Sequence, residues 1–238
     1  MVVKLLSVII LVFQLASAVV AKEITLFTED GFKLAGTVLS PQEKNGAGII
    51  LIHQGGSNRG EWLFMHDQLL AEGYVILSYD IRGMGASSSD NGKGKVVENI
   101  YNAPDQAPLD LKAAIIRIKK VEGVDHARIG ILGASVGGNL AVVGSANMDI
   151  KSAVAISGKT EAAQNLAGHK DIKMKSVYYI SSMEADGARA TWAEEMFNMT
   201  EPSREIAISP NKEGHGSAIL KDMPFLQDQI VSWFDKNL

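Results

Sequence analysis

The sequence contains no cysteine, so no disulfide bond can stabilise the folded chain. It also has no excess of basic residues, and its formal net charge is -4. Such a chain offers no positive field that would attract nucleic acid, so we expect no nucleic-acid partner. We expect a monomer that binds a small molecule. Repeats, low-complexity segments and long linkers are missing as well. Stability must come from burial of apolar side chains, and 238 residues, 46% of them hydrophobic, suffice for one sizeable core.

The N-terminus has the layout of a secretory signal. A single positive charge at Lys4 precedes an apolar run over residues 5–15, and small residues follow. We expect cleavage after Ala18 or after Ala21, so that residues 1–21 are removed on export to a bacterial periplasm or to the medium. The alternative is an uncleaved membrane anchor, because the apolar stretch approaches the ~20 residues that cross a bilayer. After cleavage we expect no stable membrane insertion.

Residues 22–238 are expected to form one domain in which apolar strands alternate with helices. Continuous apolar runs are typical of strands that are covered on both faces. The predicted strands are 23–28, 33–39, 47–53, 74–80, 128–134, 151–157, 175–182 and 204–210, the first two forming a hairpin, and the predicted helices are 60–72, 107–121, 136–147, 188–198 and 223–236. This alternation predicts an α/β fold with a doubly wound, mostly parallel sheet flanked by helices, which binds ligands at the carboxyl ends of its strands.

A single hydroxyl, Ser135, stands where a predicted strand runs directly into a predicted helix. The surrounding sequence Gly-Ala-Ser-Val-Gly, residues 133–137, fits the pattern G-x-S-x-G. In that turn the side chains two residues either side of the serine would collide, and glycine relieves the collision. The hydroxyl then lies at a helix start, where N–H groups favour negative charge. We predict Ser135 as a nucleophile; the alternative is a small-residue turn that only permits close helix–sheet packing.

A serine nucleophile needs a histidine base and an acid that orients it, and in this turn context the chain order is serine, acid, histidine. Three of the five histidines precede Ser135, and His169 lies before the strand that should carry the acid. The remaining one, His215, lies in a glycine-flanked loop after the last predicted strand. We therefore predict His215 as the base. The histidines excluded by order are His53, His66 and His126.

Two carboxylates follow the predicted strand at 175–182, where the acid is expected. We favour Asp186, because Gly187 follows it and suits a tight turn before the next helix. Glu184 is the alternative, and spacing alone does not decide between them.

The reaction also needs backbone N–H donors for the oxyanion that forms when serine attacks a carbonyl. One should be Val136, the residue after the nucleophile, and the other should come from the loop "HQGGSNRGEW" after the strand at 47–53. We predict Gly55 as the second donor, with Gln54 as the alternative. His53 is expected to shape this loop and not to act as a second base.

Together these motifs resemble the α/β-hydrolase superfamily over nearly all of the mature chain. The elbow "GASVGG" and the loop "HQGGSNR" look like its nucleophile and oxyanion segments, although Gln54 replaces a more usual glycine. "MEADG" and "GHGS" resemble the acid and histidine segments of its small esterase and dienelactone-hydrolase-like members. "YDIRGMGAS" matches a turn that braces loops around the pocket in such esterases.

The resemblance implies a serine hydrolase that cleaves carboxylic esters through an acyl-enzyme, with no metal and no cofactor. The segment where many relatives insert a lid, residues 159–174, is short here, so we expect a minimal cap or none and short-chain or accessible acyl substrates. A peptidase, amidase or thioesterase with the same residues is one alternative. A noncatalytic binding protein of the same fold is another.

Overall fold

The computed structural model describes residues 19–87, 100–210, 212 and 214–238, and of Asp186 the backbone only. Within these residues one eight-stranded sheet lies between two layers of helices. Residues 1–18, the bulk of the expected signal segment, lie outside the described part. In the described ranges, no helix combines the length and the apolar character that a membrane crossing requires.

The strands follow the predicted runs closely. They are β1 Val20–Phe27, β2 Lys33–Ser40, β3 Gly48–Ile52, β4 Val75–Tyr79, β5 Ile129–Ala134, β6 Ser152–Ile156, β7 Met174–Ser182 and β8 Thr200–Ser209. The α-helices are α1 Leu63–Ala71, α2 Ala107–Ile118, α3 Val136–Asn147, α4 Thr160–Ala167, α5 Ala188–Asn198, α6 Ala218–Asp222 and α7 Phe225–Asn237.

The sheet has the order β1-β2-β4-β3-β5-β6-β7-β8. The pairs β1–β2 and β2–β4 are antiparallel, and the other neighbouring pairs are parallel. Helices α2 to α5 pack on one face, and α1, α6 and α7 cover the other. The predicted edge hairpin and the predicted doubly wound, mostly parallel sheet are therefore confirmed.

Strand β3 shows why its sequence is continuously apolar. Ile50 and Ile52 belong to the hydrophobic cluster on one face of the sheet, and Ile49 and Leu51 belong to the cluster on the other. All four side chains are fully buried. Burying one such side chain contributes about 1.5–3 kcal/mol, so a strand with two covered faces has no place for a polar residue.

The largest differences from the expectation concern three elements. Helix α4 was not predicted, because only Ala162, Ala163 and Leu166 of its eight residues are buried and this apolar stripe is short. Strand β8 begins four residues earlier than predicted, and α6 precedes the predicted C-terminal helix. Helix α4 packs against α3 and α5, so the segment between β6 and β7 carries no cap domain.

The register of the parallel strands fixes the place of the site. Ile52 of β3 lies beside Gly133 of β5, Ala134 beside Ile156 of β6, and Ile156 beside Ile180 of β7. The loops that follow these strands therefore emerge side by side at one edge of the sheet. This is the edge at which open α/β sheets bind ligands.

Candidate active site

Ser135 has a strained backbone between β5 and α3. Its φ is 53° and its ψ is -111°, a conformation with positive φ that few residues other than glycine adopt. The N–H of Ser135 donates to the carbonyl oxygen of Ile156 at 2.8 Å, and its carbonyl oxygen accepts from the N–H of Asn139 at 2.9 Å. The neighbouring strand and the first helical turn thus hold the serine in this turn.

Three glycines around Ser135 are sterically required. A Cβ on Gly133 would lie 2.0 Å from the carbonyl oxygen of Gly137. A Cβ on Gly137 would lie 2.3 Å from the carbonyl oxygen of Ile52, and one on Gly138 would lie 2.6 Å from that of Ile156. Because each obstacle is backbone, none of them can move aside cheaply. The sequence argument that glycine relieves a collision here is confirmed.

The loop after β3 contains two candidate oxyanion donors, the N–H groups of Gln54 and Gly55, and one of them is already hydrogen-bonded. The N–H of Gln54 donates to Oε2 of Glu61 at 2.8 Å. The N–H of Gly55 has no hydrogen-bond partner among the described residues, and the same holds for Val136 at the start of α3. Gly55 and Val136 are therefore the two predicted donors that remain available.

His53 fixes the conformation of this loop through two hydrogen bonds. It is fully buried, its Nε2 accepts the N–H of Ile81 at 3.0 Å, and its Nδ1 donates to the carbonyl oxygen of Gln54 at 2.7 Å. Burial lowers the pKa of His53, which favours the neutral ring that this arrangement needs. Because a trans peptide is planar, a carbonyl of Gln54 that points towards His53 turns the N–H of Gly55 away from it. His53 has the loop-shaping role that its sequence position predicts.

His215 pairs with a carboxylate, and that carboxylate is Glu184. Oε2 of Glu184 accepts a hydrogen bond from Nδ1 of His215 at 2.7 Å, and both side chains are about three-tenths exposed. The backbone of Asp186 lies in a short 3-10 helix at Ala185–Gly187, and its side chain is outside the described part. The contact with His215 is thus made by the residue that the sequence analysis held as the alternative.

Two hydrogen bonds fix the histidine loop to neighbouring strand ends. The N–H of Gly216 donates to Oγ of Ser157 at 2.9 Å, directly after β6. Oγ of Ser182, the last residue of β7, donates to the carbonyl oxygen of Gly214. His215 lies between these two anchored glycines, so its backbone position is determined from both sides.

The histidine loop also lies against the elbow. A Cβ on Gly216 would lie 3.6 Å from Cβ of Ala134, the residue before Ser135, and only 1.9 Å from Oε1 of Gln54. The three segments that carry Ser135, His215 and the oxyanion loop therefore converge at one place. The hydroxyl of Ser135 makes no hydrogen bond to any described residue, so a direct bond to His215 stays a prediction.

Sequence reasoning missed Arg189 on α5. Its Nε lies 3.0 Å from Oε2 of Glu184, and its Nη1 donates to the carbonyl oxygen of Ser157 at 3.1 Å. The guanidinium carbon lies 5.6 Å from the ring centroid of Trp192. No motif marks this arginine, since its partners come from other strand ends. Its position one turn after the acid segment was the available signal.

The segment "YDIRGMGAS" braces the oxyanion loop, as its resemblance implies. The buried carboxylate of Asp80 accepts from the N–H and Nη1 of Arg59 in that loop, and from the N–H of Ala86. Arg82 joins a second network, with Nε 2.7 Å from Oδ1 of the buried Asp110. These ion pairs link the turn after β4 to its neighbours without reaching the serine.

Solved structures share this fold. The esterase Pf2001 of Pyrococcus furiosus aligns with a TM-score of 0.74 and 19% identity, over 91% of this chain and 92% of that chain. An acetyl xylan esterase from Paenibacillus sp. R4 aligns with a TM-score of 0.70 and 17% identity, over 96% of this chain and 87% of that chain. The α/β-hydrolase GrgF from Penicillium sp. sh18 aligns with a TM-score of 0.71 and 13% identity, over 91% of this chain and 98% of that chain.

A search of curated protein sequences finds no match to this chain. The model of the dienelactone hydrolase family matches residues 34–199, which is well over half of the chain. The matched region contains the predicted oxyanion loop, the serine elbow and the acid segment. With the eight-stranded fold and this match, the chain belongs to the dienelactone hydrolase family and is a hydrolase of the α/β-hydrolase fold.

Proposed function

We propose that this hydrolase cleaves carboxylic esters through a covalent acyl-enzyme on Ser135. The observation that carries the proposal is the convergence of a strained serine at a helix start with a carboxylate-bound histidine on the adjacent loop. A serine hydroxyl is a weak nucleophile until a base takes its proton, and His215 is the base available at this edge of the sheet.

In the proposed mechanism Oγ of Ser135 attacks the acyl carbonyl carbon while its proton passes to His215. Nδ1 of His215 already donates to Glu184, so Nε2 is the nitrogen that takes the proton. The tetrahedral intermediate collapses, and His215 returns the proton to the departing alcohol. Water then attacks the acyl-enzyme, its proton goes to His215, and the acid leaves as Ser135 recovers its proton.

Glu184 is proposed as the acid of this set, in place of Asp186. A carboxylate on Nδ1 holds the imidazole in the tautomer whose Nε2 can accept a proton, and it stabilises the charged ring that forms. The 2.7 Å contact of Glu184 with His215 supports this assignment. It also follows β7 by two residues, the place where the sequence predicts the acid.

Val136 and Gly55 are proposed as the oxyanion donors. Both N–H groups are without a partner among the described residues, whereas the N–H of Gln54 is engaged by Glu61. Donors that are fixed before the reaction stabilise developing negative charge without having to reorganise. His53 contributes by fixing the peptide plane between Gln54 and Gly55.

We further propose esters with short or accessible acyl groups as substrates. Residues 157–173 contain only α4, which packs into the helix layer, so this segment gives no apolar cover for a long chain. The names of two structural relatives, an esterase and an acetyl xylan esterase, agree with this class. Amide, peptide and thioester substrates are the alternatives that use the same residues.

The test is a panel of p-nitrophenyl esters from acetate to palmitate, with peptide p-nitroanilides and an acyl thioester measured alongside. We expect the highest kcat/KM for acetate or butyrate and no turnover by Ser135→Ala. Faster cleavage of long-chain esters would contradict the substrate class. Turnover confined to amides or thioesters would replace ester hydrolysis, and no turnover with any substrate would favour a binding protein.

Export is proposed with cleavage after Ala18. Strand β1 begins at Val20, and Val20 and Ala21 pair with Ser40 and Leu39 of β2. Cleavage after Ala21 would remove both residues from the ladder, whereas cleavage after Ala18 leaves β1 whole. The intact mass of protein recovered from a periplasmic fraction distinguishes the two sites, and a full-length mass in the membrane fraction would favour the anchor.

A further inference from the structure

The hydroxyl end of Tyr101 contacts Gly55, the second proposed oxyanion donor. A Cβ on Gly55 would lie 2.8 Å from the hydroxyl oxygen of Tyr101, 3.2 Å from its Cε1 and 3.3 Å from its Cζ. Because a Cβ is about 1.5 Å from its own Cα, the hydroxyl oxygen lies within about 4.3 Å of the Cα of Gly55. The polar tip of the phenol is therefore the part of Tyr101 that lies closest to the oxyanion loop.

Tyr101 differs from the other four tyrosines of the chain. Those four are almost fully buried, whereas Tyr101 is 41% exposed. Its hydroxyl makes no hydrogen bond to any described residue. Tyr101 thus presents an available O–H donor to a molecule that enters the site.

The segment that carries Tyr101 is anchored at both of its ends. Ile100 belongs to the hydrophobic core and is 6% exposed. At the other end, the N–H of Gln106 donates to the carbonyl oxygen of Ala103 at 3.3 Å, and Oε1 of Gln106 accepts from Nη1 of Arg82 at 3.4 Å. Helix α2 begins with the next residue. These contacts hold the phenol beside the oxyanion loop before a substrate binds.

We propose that the hydroxyl of Tyr101 is a third hydrogen-bond donor to the oxyanion, beside the N–H groups of Gly55 and Val136. This inference rests on the proposed function. One oxygen can accept from an N–H and an O–H together when the two donor atoms are at most about 5.6 Å apart. The nitrogen of Gly55 is about 2.5 Å from a Cβ on the same residue, so the contact places it within about 5.3 Å of the hydroxyl oxygen. No proton is transferred, because the hydroxyl only donates a hydrogen bond.

A role in packing is the alternative, and the two roles depend on different parts of the side chain. Packing against Gly55 needs the ring, whereas stabilisation of the oxyanion needs the hydroxyl alone. Tyr101→Phe removes the hydroxyl and keeps the ring, and Tyr101→Ala removes both. The two variants together therefore distinguish a catalytic hydroxyl from a packing ring.

The test is steady-state kinetics of Tyr101→Phe with p-nitrophenyl acetate. We expect kcat to fall about 10-fold with KM within about 2-fold, because the hydroxyl interacts with a charge that the bound ester does not yet carry. The loss should be smaller than that of a backbone donor, since water competes for an exposed hydroxyl. Tyr74→Phe is the matched control and should keep kcat, because it removes a hydroxyl that bonds to Asp235 at the opposite end of the sheet.

Trifluoroacetone gives a readout without turnover, because it forms a hemiketal with a nucleophilic serine that carries the same oxyanion. Its inhibition constant should rise about 10-fold in Tyr101→Phe and stay unchanged in Tyr74→Phe. A methyl group in Gly55→Ala would displace the hydroxyl. Adding Tyr101→Phe to that variant should therefore lower kcat by less than about 2-fold further.

Wild-type kcat in Tyr101→Phe, with activity lost only in Tyr101→Ala, would make the ring a packing residue and overturn this inference alone. A rise in KM at constant kcat in Tyr101→Phe would overturn it as well, because the hydroxyl would then bind the substrate and not the oxyanion. A wild type that hydrolyses no ester would overturn the proposed function and this inference with it. Circular dichroism confirms that each variant is folded.

Discussion

Oε2 of Glu184 lies 2.7 Å from Nδ1 of His215, so the histidine that sequence order selects is bound by a glutamate. This contact leaves Nε2 as the nitrogen that can accept a proton. We therefore expect that loss of the Glu184 carboxylate slows the chemical step.

Glu184→Gln should lower kcat by about 1,000- to 10,000-fold, because an amide can hold the imidazole in the wrong tautomer and cannot stabilise its charged form. Asp186→Asn is the matched control and should keep kcat within about 10-fold. Steady-state kinetics with p-nitrophenyl acetate measure both. A larger loss of kcat in Asp186→Asn than in Glu184→Gln would make Asp186 the acid.

Gly55→Pro should lower kcat by about 100- to 1,000-fold, because it removes the N–H proposed as an oxyanion donor. Gly55→Ala retains that N–H and meets the same neighbour, since a Cβ on Gly55 would lie 2.8 Å from the hydroxyl oxygen of Tyr101. The alanine variant therefore controls for crowding and should lose much less activity. Equal losses in both variants would show that crowding, and not the missing donor, is responsible.

His53 should make stability depend on pH in a defined direction. Burial lowers its pKa in the folded state, so as the pH falls through the unfolded value of about 6.5 the unfolded chain takes up a proton that the folded chain refuses. The stability of the wild type relative to His53→Asn should therefore shrink by about 1 kcal/mol between pH 7.5 and 5.5. Urea unfolding at both pH values measures this difference. A constant difference for His53→Asn would contradict a buried neutral ring.

Arg82→Met should lower the free energy of unfolding by about 3–5 kcal/mol at pH 8.5, because it leaves the buried carboxylate of Asp110 without its cation. Burial raises the pKa of Asp110 to about 7, so at pH 5.5 the stranded carboxyl can be protonated and the cost should be smaller. Asp30→Asn, which removes only the partly exposed partner of Arg82, should cost less than about 1 kcal/mol. Chemical denaturation of the wild type and both variants at the two pH values measures these differences in the free energy of unfolding. A larger loss for Arg82→Met at pH 5.5 than at pH 8.5 would refute the argument.

Local rules in the sequence were sufficient for the elbow and for the alternation of strands and helices. The glycines at 133 and 137 predict the collision that the turn avoids, and the strand runs predict the parallel sheet because both of its faces are buried. Chain order alone selected His215. These features depend on residues that are close in sequence or on a fixed order of elements.

Contacts that depend on the path of a loop could not be predicted. Glu184 and Asp186 lie two residues apart, and between them Ala185 has a φ of 52°, a left-handed conformation that alanine rarely adopts and no residue pattern announces. The bond from Gln54 to Glu61 and the ion pair of Arg189 likewise follow from tertiary packing. Helix α4 is not predicted from the sequence, because its buried apolar stripe is too short to distinguish a helix from a polar loop.

The most direct test of the nucleophile is covalent labelling of the folded protein with a fluorophosphonate, followed by intact-mass measurement and peptide mapping. We expect a single adduct on Ser135 in the wild type, slower labelling by 100-fold or more in His215→Gln, and none in Ser135→Ala. An unlabelled wild type, or an adduct that persists in Ser135→Ala, would contradict a serine acyl-enzyme in this protein.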